Sequence, residues 1–224
     1  MTAHRKISLT AGLLYLLTFV SIPTLALYKD AKSADYILGS GSDTAALTGG
    51  FLEIIVALAG IATAVVLFAI LKKQNETTAI GLVAARVLEA SAIFIGVAVI
   101  LTIVSLKQDG AGSDALVVSH TLANLYDRIF LISQSLLPGI NDLLLGFLLY
   151  QSRLVPRTLS MIGIVGGLVL IVGFLAVIFG IAEQGTALPA LSAIGVFLFE
   201  ISLGIWLVVK GFNSKAVAEL QSKK

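Results

Sequence analysis

The 224-residue chain is 58% hydrophobic and only 12% charged, with a mean hydropathy of +1.02. Soluble domains carry about 25% charged residues, so this composition excludes an ordinary soluble protein and indicates an integral membrane protein. The chain has no cysteine and two histidines, which excludes disulfides and thiolate metal sites and disfavours zinc or haem. The formal net charge is only +2, and the sequence contains no long run of Lys or Arg of the kind that binds nucleic acid. We therefore predict no metal, no cofactor and no nucleic-acid partner.

Six apolar runs are long enough to cross a bilayer, which requires about 20 apolar residues in a helix. The predicted spans are at about residues 7–27, 45–71, 78–106, 122–150, 158–182 and 188–209. The fold class is therefore all-α, a polytopic membrane helix bundle with six transmembrane helices in a single domain over residues 1–224. The first run is longer than the apolar part of a signal peptide, so we expect it to be retained, with a kink at Pro23.

Lys and Arg residues are unevenly divided between the two sides of the predicted bundle. The side of the termini carries Arg5, Lys6, Lys72, Lys73, Arg153, Arg157, Lys210, Lys215, Lys223 and Lys224. The other side carries Lys29, Lys32 and Lys107. Loops rich in Lys and Arg stay in the cytoplasm, so both termini are predicted to be cytoplasmic. Aromatic residues predicted as interface anchors are Tyr15, Tyr28, Tyr150 and Trp206.

The longest predicted connection between spans covers residues 28–44. Within it the sequence predicts a short helix that begins after Ser33 and ends at Gly39, either on the membrane surface or over the bundle. The Gly/Ser-rich run that follows is a turn into span 2 rather than a phosphate loop, because no Gly-Lys-Ser/Thr follows it. The polar tail, residues 215–224, is predicted to be frayed.

The fourth run carries a polar stripe along its whole length. At 100° per residue, a regular helix would place on one face, within about 100°, the residues His120, Asn124, Asp127, Gln134, Pro138 and Asn141. Pro138-Gly139 interrupts the backbone hydrogen bonding, which is tolerated where protein or a cavity covers the freed groups. His120 is predicted to lie in an exposed loop.

Seven charged residues lie inside the predicted spans, although each costs about 2.5–3.5 kcal/mol at the membrane centre. They are Glu53 in span 2, Arg86 and Glu89 in span 3, Asp127, Arg128 and Asp142 in span 4, and Glu200 in span 6. Spans 1 and 5 carry none, so we expect them to be lipid-facing supports, while spans 2, 3, 4 and 6 form the functional bundle.

A rise of 1.5 Å per residue divides these groups into two tiers. The outer tier is Glu53, Asp127 and Arg128, and the inner tier is Arg86, Glu89, Asn141, Asp142 and Glu200. Arg86 and Glu89 are three residues apart and can pair within one helix. Asp142 can reach the interface, which leaves Glu200 without an opposing cation. Such a carboxylate is protonated, binds a cation or faces water. Asp127 and Arg128 are predicted to form a solvated rim pair.

The polar residues within and beside the spans resemble those of a known family. The matching segments are Asp35-Tyr36-Ile37 with Gly39, Glu53, Ala84-Ala85-Arg86-Val87-Leu88-Glu89, Gly139-Ile140-Asn141, Ser152-Arg153-Leu154-Val155-Pro156-Arg157 and Phe199-Glu200-Ile201-Ser202-Leu203-Gly204-Ile205-Trp206. Over nearly its whole length the chain resembles the bacterial six-span membrane family catalogued as a domain of unknown function (number forty-three eighty-six). The resemblance implies a multi-pass protein of the bacterial cytoplasmic (inner) membrane and gives no substrate.

From the residues, we predict a polar cavity between spans 2, 3, 4 and 6 that binds or moves a small-molecule or lipid ligand, with linkage to a proton or monovalent cation. Arg86 is the anion-facing or charge-balancing group, and Glu89 orients it. Glu53 and Glu200 titrate or hold a cation, and Gln134 and Asn141 hydrogen-bond the ligand or a neighbouring helix. The predicted ligand-binding residues are Glu53, Arg86, Glu89, Asp127, Gln134, Asn141, Asp142 and Glu200.

Two other classes of function stay open at this point. The chain has no H-E-x-x-H, G-x-S-x-G or Walker motif, so no catalytic residue is predicted. Two carboxylates alone can still perform acid/base chemistry, which allows a membrane-embedded enzyme. The third class is a structural or sensory subunit whose polar stripe binds a partner helix. The sequence does not determine the oligomeric state.

Overall fold

A computed structural model describes residues 1–222 and is all-helical over them. The α-helices are α1 (Ala3–Thr18), α2 (Thr24–Leu27), α3 (Ala34–Ile37), α4 (Asp43–Leu71), α5 (Glu76–Gln108), α6 (Leu116–Leu131), α7 (Leu137–Ser152), α8 (Arg157–Ile178), α9 (Ala187–Ser192), α10 (Ile194–Val209) and α11 (Ser214–Ser222). Two short 3₁₀ helices, Phe19–Ser21 and Gly112–Ala115, and a π-helical segment, Ile132–Leu136, complete them. Lys223 and Lys224, which the orientation prediction counted, lie outside the described residues.

Within residues 1–222, six helical segments are long and apolar enough to cross a membrane, which confirms the predicted fold class. They are span 1 (Ala3–Leu27), span 2 (Asp43–Leu71), span 3 (Glu76–Gln108), span 4 (Gly112–Ser152), span 5 (Arg157–Ile178) and span 6 (Ala187–Val209). Large apolar side chains cover their outer faces, such as Phe51 and Val172, which are 63% and 64% exposed. In a membrane these side chains contact lipid. The chain is therefore a multi-pass membrane protein.

The six spans form a closed ring in chain order. Each span packs against the next one along the chain, and α1 of the first span packs against α10 of the last. The Arg5 guanidinium reinforces this closure by donating to the backbone carbonyls of Leu207 and Val208 at the end of α10. Because the ring is closed, every span has one face towards a common interior.

Polar side chains in the connections set where several helices begin. Ser42 accepts a hydrogen bond from the backbone N–H of Ala45, and Asn75 accepts one from Thr78, so α4 and α5 each begin with a capped first turn. At the far end of α7, Arg153 adopts a left-handed conformation with φ +55°, which turns the chain into span 5.

Three spans are interrupted within the membrane, where the sequence predicted two interruptions. Span 1 leaves the α-helix after Thr18, ahead of the predicted kink at Pro23. Span 6 breaks at Ala193, between α9 and α10. Span 4 contains the π-helical segment Ile132–Leu136, directly before Pro138, which lies in the first turn of α7. Proline has no N–H to donate, so the preceding backbone rearranges. The wider π turn also shifts the helical phase, so the polar stripe predicted for a regular helix does not form one continuous face.

The 28–44 connection and the C-terminal tail each contain a short helix. The predicted short helix is present as α3, and Gly39 follows it with φ +106°. The Ser33 hydroxyl donates to the Asp30 carbonyl instead of capping α3. Tyr36 is fully buried and donates a 2.8 Å hydrogen bond to Asp43, and this burial and hydrogen bond raise the pKa of the Tyr36 hydroxyl.

The prediction of a frayed tail is wrong over residues 215–222, because α11 buries one apolar face.

Candidate functional site

The Arg86 guanidinium is the centre of a buried polar cluster in the interior of the ring. Its Nη1 donates to Glu89 Oε2 at 2.9 Å, which confirms the predicted pair within α5. Its Nη2 donates to Glu200 Oε1 of α10 at 2.9 Å and to the Tyr15 hydroxyl of α1 at 3.3 Å. Arg86 is 5% exposed, so these contacts form out of water and tie spans 1, 3 and 6 together.

Two consecutive residues of α7 extend this cluster. Asn141 is fully buried, and its Nδ2 donates to Glu89 Oε2 at 2.7 Å. Asp142 is also fully buried, but neither of its carboxylate oxygens has a hydrogen-bond partner among residues 1–222. Its electrostatic neighbours are Glu200, Arg86 and Glu89. The orphaned carboxylate is thus Asp142, which corrects the prediction that Asp142 reaches the interface and that Glu200 lacks a cation.

The formal charges of the cluster do not balance. Arg86 is its one cation within the described chain, and it forms ion pairs with Glu89 and Glu200. Asp142 adds a third acid. If all four groups were ionised, the buried cluster would carry a net charge of −2. An uncompensated charge away from water is costly, so protons or a bound cation must compensate at least part of it.

A cavity of about 200 Å³ adjoins the cluster, well above the about 10–15 Å³ that one water molecule requires. All six spans line it. In chain order the lining residues are Thr18, Phe19, Ser21, Ile22, Val56, Ala57, Gly60, Arg86, Glu89, Ala90, Ile93, Gln134, Pro138, Leu170, Ala193, Val196, Phe197 and Glu200. The cavity therefore has one charged side, at Arg86, Glu89 and Glu200, and its other walls are largely apolar.

The three interruptions of the spans all lie against this cavity. The 3₁₀ turn of span 1 contributes Phe19 and Ser21, the π-helical segment contributes Gln134, and the break in span 6 contributes Ala193. Irregular backbone is tolerated at membrane depth where protein or a polar cavity covers it. Broken helices that converge on a polar cavity are a common feature of transporter binding sites.

Glu53 belongs to a second and separate cluster. Its Oε1 accepts a 2.9 Å hydrogen bond from Tyr126 and its Oε2 a 3.1 Å bond from Tyr28. The two rings meet edge to face with centroids 5.3 Å apart. Gly49 lies against the Tyr28 ring, where an added Cβ would approach within 2.6 Å. Within the described chain Glu53 forms no ion pair, and it does not line the cavity.

Asp127 lies farther out, on the side of the bundle away from the termini. Its carboxylate forms an ion pair with Lys32 of the 28–44 connection, which replaces the predicted pair with Arg128. The Lys32 ammonium also lies 5.4 Å from the centroid of the Tyr126 ring. His120 is exposed, as predicted, but it lies in helix α6 rather than in a loop, and its ring contacts Asn124 one turn on. None of these residues lines the cavity.

The structure therefore separates the eight predicted site residues. Arg86, Glu89 and Glu200 meet at the cavity, Gln134 lines it, and Asn141 and Asp142 adjoin it from behind. Glu53 and Asp127 lie elsewhere. The prediction that spans 1 and 5 are only supports is wrong, because Tyr15 bonds Arg86 and both spans line the cavity. The signal was present, since Tyr15 lies at the middle of span 1 rather than at an interface.

A comparison with protein-family models finds one match, which covers residues 10–211 and is described as Domain of unknown function (DUF4386). No curated protein and no solved structure matches the chain. The match includes all six spans, apart from the first residues of span 1, and every residue of the Arg86 cluster. The chain belongs to the DUF4386 family of membrane proteins.

Proposed function

We propose that this protein binds a small monovalent cation, inorganic or organic, in its central cavity and exchanges it for a proton. The observation that carries the proposal is the excess of acids over cations in a buried cluster that faces this cavity. Arg86 forms ion pairs with Glu89 and Glu200 and donates to Tyr15, so its charge is already balanced by acids and we assign it a charge-balancing role rather than anion binding.

The charges of the Arg86 cluster imply that one cation is exchanged for one proton. Asp142 has no partner among the described residues and no exposure, so we expect it to hold a proton. Glu89 and Glu200 then outnumber Arg86 by one negative charge. One monovalent cation in the cavity neutralises the cluster, and a proton on Glu200 does the same when the cation leaves. Glu200 is the natural exchange group because 16% of its side chain stays exposed and it lines the cavity.

The cavity also supports ligand binding over the structural alternative. A bundle with a purely structural polar cluster needs only paired groups and a filled interior. Here an open volume adjoins Arg86 and Glu200, and it coincides with three interrupted helices. The acid/base enzyme alternative has weaker support, because two of the three carboxylates are tied to the same guanidinium.

Thermal unfolding of the purified protein in detergent tests the binding step. The probes are LiCl, NaCl, KCl and methylammonium chloride, and a bulky organic chloride holds the ionic strength constant. A ligand that binds only the folded state stabilises it by RT ln(1 + [L]/Kd), about 2.7 kcal/mol at 100 Kd. At least one probe should raise the unfolding temperature. Its effect should be larger in mildly alkaline than in mildly acidic buffer, because protons compete for the same carboxylate.

Two variants form the matched pair for this experiment. Glu200→Gln should abolish the response to the cation, whereas Glu183→Gln, an exposed loop acid, should keep it. If no probe stabilises the protein, or if Glu200→Gln responds as the wild type does, the cation proposal is wrong.

Exchange across the membrane is tested in proteoliposomes that contain a pH-sensitive dye. Addition of the stabilising cation outside should make the lumen alkaline, because protons leave as the cation enters. Glu200→Gln should show no change beyond empty liposomes, and Glu183→Gln should behave as the wild type. A response in the Glu200→Gln liposomes equal to the wild type would assign the exchange to another route.

We further propose that the protein lies in the cytoplasmic membrane of a bacterium with both termini in the cytoplasm. The excess of Lys and Arg on the side of the termini supports this orientation. The chain has no cysteine, so single cysteines can be introduced without altering the background. In intact cells a membrane-impermeant maleimide should label Glu183→Cys and spare Gln221→Cys. The reverse pattern would invert the topology.

A further inference from the structure

A second cavity, of about 490 Å³, lies at the end of the bundle where the termini are. It forms between the connection from span 4 to span 5 and the end of span 6, and the backbone N–H of Asn213 donates to the Leu154 carbonyl across its base. This groove does not share a residue with the central cavity.

Three cations surround the groove. Arg153, Arg157 and Lys210 line it, and no acidic residue does. None of the three forms an ion pair with any residue from 1 to 222. Glu219 lines a neighbouring hollow together with Arg153 and Arg157, but it is not within ion-pair distance of either. Three uncompensated cations around one groove favour an anionic occupant.

Arg153 stands at a strained backbone position, and Arg157 is held by an aromatic ring. Arg153 has φ +55°, a left-handed conformation that is unfavourable for every residue with a Cβ atom. Glycine is the usual residue at such a helix end, yet an arginine stands here. The Arg157 guanidinium lies 4.9 Å from the centroid of the Tyr150 ring, a favourable cation–π contact. Strained backbone positions such as that of Arg153 cluster at binding sites.

The walls of the groove are apolar and aromatic. They include Leu154, Val155, Pro156, Trp206 and Phe212. The indole N–H of Trp206 is shielded from solvent and has no acceptor among residues 1–222. Tryptophan is enriched where lipid headgroups meet acyl chains, because its ring is apolar and its N–H donates. The groove thus combines cations with apolar and aromatic walls at the end of the spans.

We propose that this groove binds the phosphodiester headgroup of an anionic phospholipid. Arg153, Arg157 and Lys210 surround the phosphate. The apolar walls contact the glycerol and the first acyl carbons. Basic pockets between helices at the membrane interface bind anionic headgroups in this way. This site is independent of the proposed cation exchange.

Native mass spectrometry of the full chain, stripped of lipid in detergent, tests the proposal. The probes are phosphatidylglycerol, phosphatidylcholine with the same acyl chains, and inorganic phosphate. The wild type should bind one phosphatidylglycerol much more tightly than phosphatidylcholine. Each cation near an anionic surface contributes roughly fivefold, so Arg153→Gly/Arg157→Gln/Lys210→Gln should weaken this binding on the order of 100-fold. Lys72→Gln/Lys73→Gln/Lys215→Gln removes as much charge from the same side and should leave the binding unchanged.

Arg153→Gly alone separates binding from folding. Glycine relieves the left-handed strain, so this variant should unfold at the same temperature as the wild type or higher, while its phosphatidylglycerol binding weakens. Three results would each overturn the proposed lipid site. The two triple variants could lose equal affinity, or the two lipids could bind equally well. Inorganic phosphate could also displace the lipid at equal concentration.

Discussion

Glu53 and Glu200 are both carboxylates that an apolar helix carries into the membrane, but their surroundings differ. Glu53 accepts hydrogen bonds from two tyrosine hydroxyls and has no cation beside it within the described chain. Glu200 pairs with Arg86 and faces the central cavity. The tyrosine rings pack closely around Glu53 and leave only a negligible volume beside it.

The comparison shows two ways of placing a carboxylate in an apolar bundle. Two hydroxyl donors satisfy both oxygens of Glu53, and the packed rings leave no room for a further group beside it. The Arg86 cluster instead leaves both oxygens of Asp142 without a partner among the described residues, and it adjoins an open cavity. We therefore assign a structural role to the Glu53 cluster and the exchange of a cation and a proton to the Arg86 cluster.

The largest expected effect is that of Arg86→Met. The substitution leaves Glu89 and Glu200 buried without their cation, and breaking a buried pair by removing one partner costs about 3–5 kcal/mol. Chemical unfolding followed by the fluorescence of Trp206, the one tryptophan of the chain, measures it. Arg128→Met is the control, because Arg128 is exposed and forms no ion pair within the described chain. A loss below about 1 kcal/mol for Arg86→Met would show that the cluster is not held by charge.

The second-largest loss in the free energy of unfolding is expected for Glu53→Ala. The Tyr28 and Tyr126 hydroxyls lose their acceptor, at about 1–2 kcal/mol for each buried neutral donor, so we expect a loss of about 2–4 kcal/mol in total. The triple variant Tyr28→Phe/Glu53→Leu/Tyr126→Phe removes donors and acceptor together and should recover most of that stability. The thermal response to the stabilising cation should persist in both. Its disappearance in the triple variant would make Glu53 part of the ligand site.

A smaller loss is expected for Tyr15→Phe. The hydroxyl accepts a long bond of 3.3 Å from Arg86, so its removal should cost about 1.5 kcal/mol, the lower end for hydrogen bonds to charged groups. The same unfolding assay measures this, with Tyr150→Phe, at the far end of span 4, as the control. Equal stability of Tyr15→Phe and the wild type would remove span 1 from the cluster.

The smallest effect should be that of Asp142→Asn. If Asp142 already holds a proton, the amide replaces a neutral group of the same shape and the free energy of unfolding should change by less than about 1 kcal/mol. The response to the cation should remain. A loss of several kcal/mol would instead show an ionised Asp142 that Arg86 stabilises, and the net charge of the cluster would have to be reassigned.

Much of the fold was predictable because hydropathy and span length are local properties. All six spans, the short helix before span 2 and the Arg86–Glu89 pair were predicted and are present. The Arg86–Glu89 pair could be predicted because residues three apart lie on the same face of a helix. The tail was mispredicted because its polar composition was weighed above its pattern: Ala216, Val217 and Leu220 have the spacing of one helical face, and α11 buries that face in the core.

The candidate site was predicted less completely, and two elements explain why. The π-helical segment Ile132–Leu136 shifts the phase of span 4, so regular helical geometry misplaces residues on either side of it. Span 1 carries no charged residue between Lys6 and its break, so a search for charges passed over Tyr15. A search for hydroxyl-bearing aromatic residues at mid-span, Tyr15 among them, would have indicated the contact.

By itself the sequence determined that this is a six-span membrane protein with an excess of acids inside the membrane, because composition and helical rise do not depend on which helices meet. Only the tertiary structure decided that Arg86 pairs with Glu200, that Asp142 has no partner among the described residues, and that Glu53 is separate. A position within a helix fixes the face on which a side chain lies. The closure of the ring, with α1 against α10, decides which faces meet around the cavity.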